Sequence, residues 1–114
     1  MIIRQLLVDA YGCTGPLDDA PRLLDTLRAA AAAVGATEFG HTTARFVPHG
    51  VTAVLILAES HLLISTWPEH QLALVDILLC NPQMDPEAAW AVVRDLLQPD
   101  DVALRGIERR VGRG

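Results

Sequence analysis

The sequence predicts an α+β fold, a two-layer sandwich in which a mainly antiparallel sheet carries two helices on one face. Two stretches have helical apolar spacing and open on an Asp followed by Pro. About five short apolar stretches, many alternating in polarity, have the period of strands. Alternating strands together with two amphipathic helices suit a sheet that carries the helices on one face.

Taken in order, Ile2 to Ala10 is short, apolar and bounded by Tyr11-Gly12, as a buried strand would be. Asp18 or Asp19 caps a first helix with Pro21 in its first turn. Its apolar face uses Leu23, Leu24, Leu27, Ala31 and Val34, and Gly35 ends it. Thr37 to Phe46 and Val51 to Glu59 read as strands joined through Pro48-His49-Gly50. His61 to Thr66 fits another strand, interrupted at Trp67-Pro68 because proline cannot donate to a ladder, and Leu72 to Leu79 continues as strand. Asp85 caps a second helix with Pro86 at its first position. Trp90, Val93, Leu96 and Leu97 form its face, and it stops before Pro99. Val102 to Glu108 is a last strand, and Arg109 to Gly114 a polar tail. No linker divides the chain, so residues 1–114 are expected to form one domain. An apolar outer sheet face would call for a dimer.

Composition narrows the function. The 114 residues include nine Arg, no Lys and fourteen acidic groups, for a formal charge of −5. Half the chain is apolar, which excludes intrinsic disorder. The scattered Arg offer no cationic face for nucleic acid. Without lysine there is no internal Schiff-base lysine and no Walker-type phosphate lysine. Two cysteines, Cys13 and Cys80, are too few for a secreted disulfide scaffold. The start of the sequence lacks a leader pattern, and the longest strongly apolar stretch, Val51 to Ala58, is too short for a membrane span. A cytoplasmic protein without membrane or nucleic-acid partners is expected. His41, His49, His61 and His70 form no metal-ligand spacing with the cysteines, so no metal is expected.

The unusual segment is Ala58-Glu59-Ser60-His61, followed by Thr66-Trp67-Pro68-Glu69. Polar groups there interrupt what should be a buried stretch, and burying them unpaired would cost a few kcal/mol. From spacing alone the plainer reading is a strand end, with Ser60 bonding turn backbone and Trp67 capping the core.

These residues carry a resemblance. Leu7-Val8-Asp9 with Tyr11-Gly12-Cys13, then Arg45-Phe46 with Pro48 and Gly50, resembles the small, pyruvoyl-dependent prokaryotic S-adenosylmethionine decarboxylase proenzymes. The likeness continues through Ala58-Glu59-Ser60-His61, Thr66-Trp67-Pro68-Glu69, and Val75-Asp76 ahead of Cys80. It implies that the Ser60 hydroxyl attacks the Glu59 carbonyl in an N→O acyl shift. β-Elimination of the ester would then cut the chain into a β chain, residues 1–59, and an α chain, residues 60–114, headed by a pyruvoyl group made from Ser60. Such a ketone captures a substrate amine and takes up the electrons left when carbon dioxide departs, the role that pyridoxal phosphate plays elsewhere.

By the same resemblance, Cys80 protonates the α-carbon after decarboxylation. Phe46 and Trp67 lie near the adenine, and Glu69 accepts hydrogen bonds from the ribose hydroxyls. A homodimer of αβ protomers is implied, with S-adenosylmethionine as substrate and spermidine synthesis as the use of its product. Two positions depart from the family. Ser65 stands where a histidine usually helps to remove the α-proton during self-cleavage, and Thr52 stands where a serine is usual. A serine cannot replace an imidazole as a base near neutral pH, which leaves His61 or His70 as possible substitutes. Asn81, after Cys80, stands where glycine is common. Two alternatives therefore stay open: a diverged pyruvoyl-dependent arginine or ornithine decarboxylase, and an unprocessed, non-catalytic homologue.

Overall fold

The computed structural model describes residues 1–113. Six strands form one antiparallel sheet: β1 (Ile2–Tyr11), β2 (Glu38–Arg45), β3 (Val51–Leu57), β4 (Ser60–Trp67), β5 (Leu72–Leu79) and β6 (Asp101–Arg110). Their order across the sheet is β2-β3-β4-β5-β1-β6. Helix α1 (Ala20–Ala33) follows β1 and α2 (Pro86–Leu97) follows β5; the two pack against each other, α1 over β3 and β2 and α2 over β5 and β1. This is the expected two-layer α+β sandwich. No helix among the described residues is long and apolar enough to cross a membrane.

Both helices start where their sequences say they should. The Asp19 carboxylate accepts from the Arg22 N–H and the Asp85 carboxylate from the Glu87 N–H, each satisfying an otherwise orphaned donor. Leu23, Leu27 and Ala30 of α1 and Ala89, Val93 and Leu97 of α2 are buried against one sheet face. The facing strand residues are Leu6 and Val8, Ala53 and Leu55, Leu62 and Ile64, and Val75 and Ile77, which alternate as strand geometry requires. Leu97 also accepts a bond from the Gly15 N–H. A Cβ on Gly15 would meet the Leu96 carbonyl oxygen at 1.9 Å, so only glycine lets the β1–α1 loop lie against the end of α2.

Two expectations need correction. Leu72–Leu79 does not continue the preceding strand. Pro68 opens a single 3-10 turn (Pro68–His70), Gln71 takes a left-handed φ of 49°, and the chain reverses so that Trp67 pairs with Leu72. There are thus six strands rather than five. Arg109 and Arg110 are also not tail residues. They pair with Ile3 and Ile2, because β1 offers backbone partners along its whole length. Of the expected tail, Gly114 lies outside the described residues.

Among the described residues, no helix covers the other sheet face. Its apolar residues include Val54, Ile56, Leu63, Leu74 and Leu78, none of them fully buried. At one edge, an ionic cluster ties α1 to β2. Arg28 donates to Glu38 at 2.8 Å, and His41 Nδ1 lies 2.7 Å from the other Glu38 oxygen. The Arg28 hydrogen bond first, and then that of His41, hold the Glu38 carboxyl down at about 2.

A carboxyl lowered in the folded state stabilises above its unfolded pKa, and that contribution is lost as pH falls toward the folded value. Glu38→Gln should therefore unfold at lower urea concentration than wild type at pH 7. The difference should shrink as pH falls from about 4.5 toward about 2, and also in high salt, because the cluster is exposed. A difference constant with pH would show that the cluster does not clamp α1.

Candidate active site

Ser60 begins β4 immediately after the two-residue turn Ala58-Glu59, and Leu57 pairs with Ser60 across it. Glu59 adopts a left-handed φ of 59°. Such a conformation costs a non-glycine residue about 1 kcal/mol, so the peptide carbonyl next to the Ser60 hydroxyl belongs to a strained residue. The Ser60 Oγ accepts a hydrogen bond from the Cys80 N–H at 3.1 Å. The Cys80 thiol lies 3.7 Å from the Ala58 carbonyl oxygen and 3.9 Å from a Glu59 carboxylate oxygen. Together these groups line a cavity of about 230 Å³ with Ala36, Thr37, Leu57, Asn81 and Met84. Arg4 donates to the Pro82 and Met84 carbonyls and so fixes the loop that follows Cys80. The other thiol is set apart: Cys13 is buried, and desolvation pushes its pKa up, which leaves it unreactive.

A second cluster occupies the opposite end of β3 and β4. Phe46 directly follows β2, Trp67 ends β4, and Glu69 sits in the 3-10 turn. Phe46 is 53% exposed and Trp67 38% exposed, so neither ring is spent on the core. Trp67 therefore does not cap the core as the plainer reading of the sequence had it. This end is built by hydrogen bonds that the sequence did not announce. The buried Thr66 hydroxyl donates to the Leu17 carbonyl at 2.7 Å and accepts from the Val51 N–H at 3.0 Å. The Asp18 carboxylate accepts from the Gly50 N–H at 2.8 Å. His49 Nε2 lies 3.0 Å from Glu69 Oε2. Gly50 has a φ of 116°, a conformation that other residues rarely take, and it lets the turn after Phe46 close beside Thr66.

The structure therefore brings Glu59, Ser60 and Cys80 together, and separately gathers Phe46, Trp67 and Glu69 at the far strand ends. Thr52 and Ser65 belong to neither group. They pair across β3 and β4 with their hydroxyls 2.9 Å apart. Five residues separate Ser65 from Ser60, roughly 16 Å along a strand, and the odd spacing points the two side chains to opposite sheet faces. Of the two histidines considered as substitutes, His70 lies in the 3-10 turn at the far end, whereas His61 follows Ser60. On the outer face, His61 Nε2 lies 3.3 Å from Asp76, which also accepts from Gln5 at 2.9 Å. Thr66, Asp18 and His49 were not singled out in the sequence as parts of the site, since nothing in their spacing foretells contacts 15 to 49 residues away. Among the described residues no three His, Cys, Asp or Glu side chains cluster as metal ligands would.

Known proteins resemble this chain over nearly its whole length. The sequence pattern of a family described as S-adenosylmethionine decarboxylase matches residues 4–110. A relative from Parasynechococcus marenigrum (strain WH8102), named S-adenosylmethionine decarboxylase proenzyme, is 41% identical over 110 residues, 96% of this chain and 86% of the relative. A relative of the same name from Methanococcus vannielii is 38% identical over 109 residues, covering 95% and 89%. The crystal structure of the adenosylmethionine decarboxylase from Aquifex aeolicus superposes with a TM-score of 0.88 at 30% identity, covering 98% of this chain and 93% of that one.

Replacing Thr66 by valine keeps its shape but leaves the buried Val51 N–H and Leu17 carbonyl without that partner. The variant should lose about 1–3 kcal/mol of stability, read as a lower urea midpoint at unchanged slope. No loss would mean that Thr66 does not hold the Trp67 end together.

Proposed function

The chain belongs to the S-adenosylmethionine decarboxylase family and decarboxylates that substrate, and we propose that Ser60 supplies the reactive group by cutting its own chain. The observation that carries this reading is the strained Glu59 carbonyl directly before a serine whose oxygen is held by the Cys80 N–H. The Ser60 hydroxyl attacks the Glu59 carbonyl carbon, the peptide C–N bond breaks, and an ester takes its place. Removal of the Ser60 α-proton then expels the Glu59 carboxylate from the Ser60 Cβ. Hydrolysis of the resulting enamine, with loss of ammonia, leaves a pyruvoyl group heading residues 60–114. That group needs no new space, since it keeps the three carbons of Ser60, and Cys80 lines the cavity beside it. Its carbonyl supplies the electrophile that lysine-bound cofactors provide elsewhere. Cys80 stands next to that position and is the group to return a proton to the substrate α-carbon.

The substrate-binding half of this reading needs a second copy. Trp67 lies seven strand residues from Ser60, roughly 23 Å along β4. In S-adenosylmethionine, only a handful of bonds separate the amino acid from the ribose. One chain cannot reach both. A two-fold axis crossing β4 near its middle would bring the Ser60 end of one copy to the Phe46, Trp67 and Glu69 end of another. The bare apolar face around Leu63 and Leu74 is the surface to be covered, and such an isologous contact forms two sites per dimer. In that dimer the Thr52–Ser65 hydroxyl pair lies on the face that the contact covers. Hydroxyls can hydrogen-bond there but cannot take up a proton near neutral pH, so cleavage should be slow. Both cysteines are free thiols, which supports a reducing cytoplasmic setting.

Freshly made protein should separate on a denaturing gel into residues 1–59 and 60–114, while Ser60→Ala stays whole. Persistent fragments in that variant would remove Ser60 as the source of the reactive group. Carbon dioxide release from S-adenosylmethionine, and not from arginine or ornithine, decides the substrate. Ser65→His should speed cleavage, by up to about 10²-fold if the imidazole acts as base; an unchanged rate would place Ser65 outside the processing site. Mixed dimers of Ser60→Ala and Glu69→Ala chains should regain activity that neither variant has alone. No regain would confine the site to one copy.

A further inference from the structure

We propose that His49 is a positioning residue that orients Glu69 toward the ribose of the substrate. The inference rests on the reading that Glu69 binds the ribose, and it adds a residue to which no role was given. His49 lies in the turn between β2 and β3, and Glu69 in the 3-10 turn between β4 and β5. The two turns belong to different hairpins, and His49 Nε2 to Glu69 Oε2, at 3.0 Å, is the side-chain contact joining them.

Both side chains are substantially exposed, His49 by 34% and Glu69 by 44%. An exposed pair of this kind adds little to stability, so holding the fold together is not a sufficient account of it. Its larger effect is on the carboxylate. A free glutamate side chain explores many rotamers, and a binding group must give up that freedom when a ligand arrives. His49 restricts it beforehand. The hydrogen bond takes one lone-pair position on Oε2 and leaves Oε1 and the rest of Oε2 to accept from two neighbouring hydroxyls, as a ribose diol presents them.

The base that carries His49 is itself fixed. Gly50 on one side donates to Asp18, and the Phe46 N–H donates to the Gly50 carbonyl at 2.9 Å. The ring that would meet the adenine and the residue that aims the ribose carboxylate therefore sit on the same short turn. Movement of that turn would displace both together.

The test uses self-cleaved enzyme and steady-state kinetics with S-adenosylmethionine. His49→Ala should raise KM about three- to tenfold, as expected for loss of one orienting hydrogen bond, with little change in kcat. His49→Gln should restore KM, because its amide nitrogen lies as many bonds from Cβ as the histidine Nε2. His49→Asn, one bond shorter, should not. In the double variant His49→Ala with Glu69→Gln, the histidine change should add nothing to the effect of Glu69→Gln alone. If Glu69→Gln raises KM but His49→Ala does not, or if the double variant is additive, His49 does not act through Glu69. If Glu69→Gln itself leaves KM unchanged, the ribose reading of Glu69 fails instead. Should His49→Ala not fold, His49→Leu takes its place in each comparison; a need for His49 in folding that Gln meets, with KM unaltered in every folded variant, would make the contact structural and overturn the proposal.

Discussion

The separation of two chemistries along a single strand governs the rest of this molecule. β4 runs from Ser60 to Trp67, and hydrogen bonding to β3 on one side and β5 on the other holds it extended. A strand in the middle of a sheet cannot fold back on itself, so Ser60 and the aromatic, carboxylate-bearing end stay apart by its full length. Its two-residue alternation adds a second constraint: Leu62, Ile64 and Thr66 must enter the core, which leaves Leu63, Ser65 and Trp67 on the bare face. The strand that stabilises the domain therefore also presents the proposed binding residue Trp67 outward. A symmetric partner is the simplest way to bring the two ends together without bending the strand.

The placement of strain follows the same economy. The short turn Ala58-Glu59 must reverse the chain with no glycine in it, and the positive φ falls on Glu59. An Asn or Gly at this position would relieve the strain. A glutamate there keeps it at the bond proposed for cleavage, while the paired strands on either side hold the turn closed. Cys80 reaches the same place from β5, with its N–H on the Ser60 oxygen and its thiol over the turn. The register of β4 against β5 is what positions it. The far end is different in kind: there the loops are tied by side chains of Asp18, Thr66 and His49, with no sheet pairing between the turns.

This contrast explains what the sequence made legible. The helices were readable because their caps, Asp19 and Asp85, and their apolar spacing are local signals. Most strands were readable through their period of two. The hairpin at Trp67-Pro68 was mistaken for an interruption because a proline halts a ladder whether the chain goes straight on or turns back; the deciding residue, Gln71 in a left-handed conformation, has no strong local signature. β6 was cut short because Arg109 and Arg110 look like a solvated tail, and only the length of β1 keeps them in the sheet. For the site, Glu59, Ser60 and Cys80 were identified as a group through resemblance, and their proximity depends on register. The contacts of Thr66 and His49 were invisible, since residues 15 to 49 positions apart meet only once the sheet has formed.

The bare face itself is not uniformly apolar, and that bears on how two copies could meet. His61 contacts Asp76, Asp76 accepts from Gln5, and Arg109 reaches the Gln5 side-chain oxygen at 3.5 Å. These groups make a polar line across β4, β5, β1 and β6, near the Ser60 end. A purely apolar face would let a partner slide by two residues at little penalty. Polar groups that leave water must keep their partners, so a slipped pairing would strand charges against Leu63 or Leu74. The line thus opposes wrong registers more than it strengthens the right one. The proposed two-chain site would require that selectivity, because a slip of two residues, about 7 Å, would carry Trp67 and Glu69 of one copy away from Ser60 of the other.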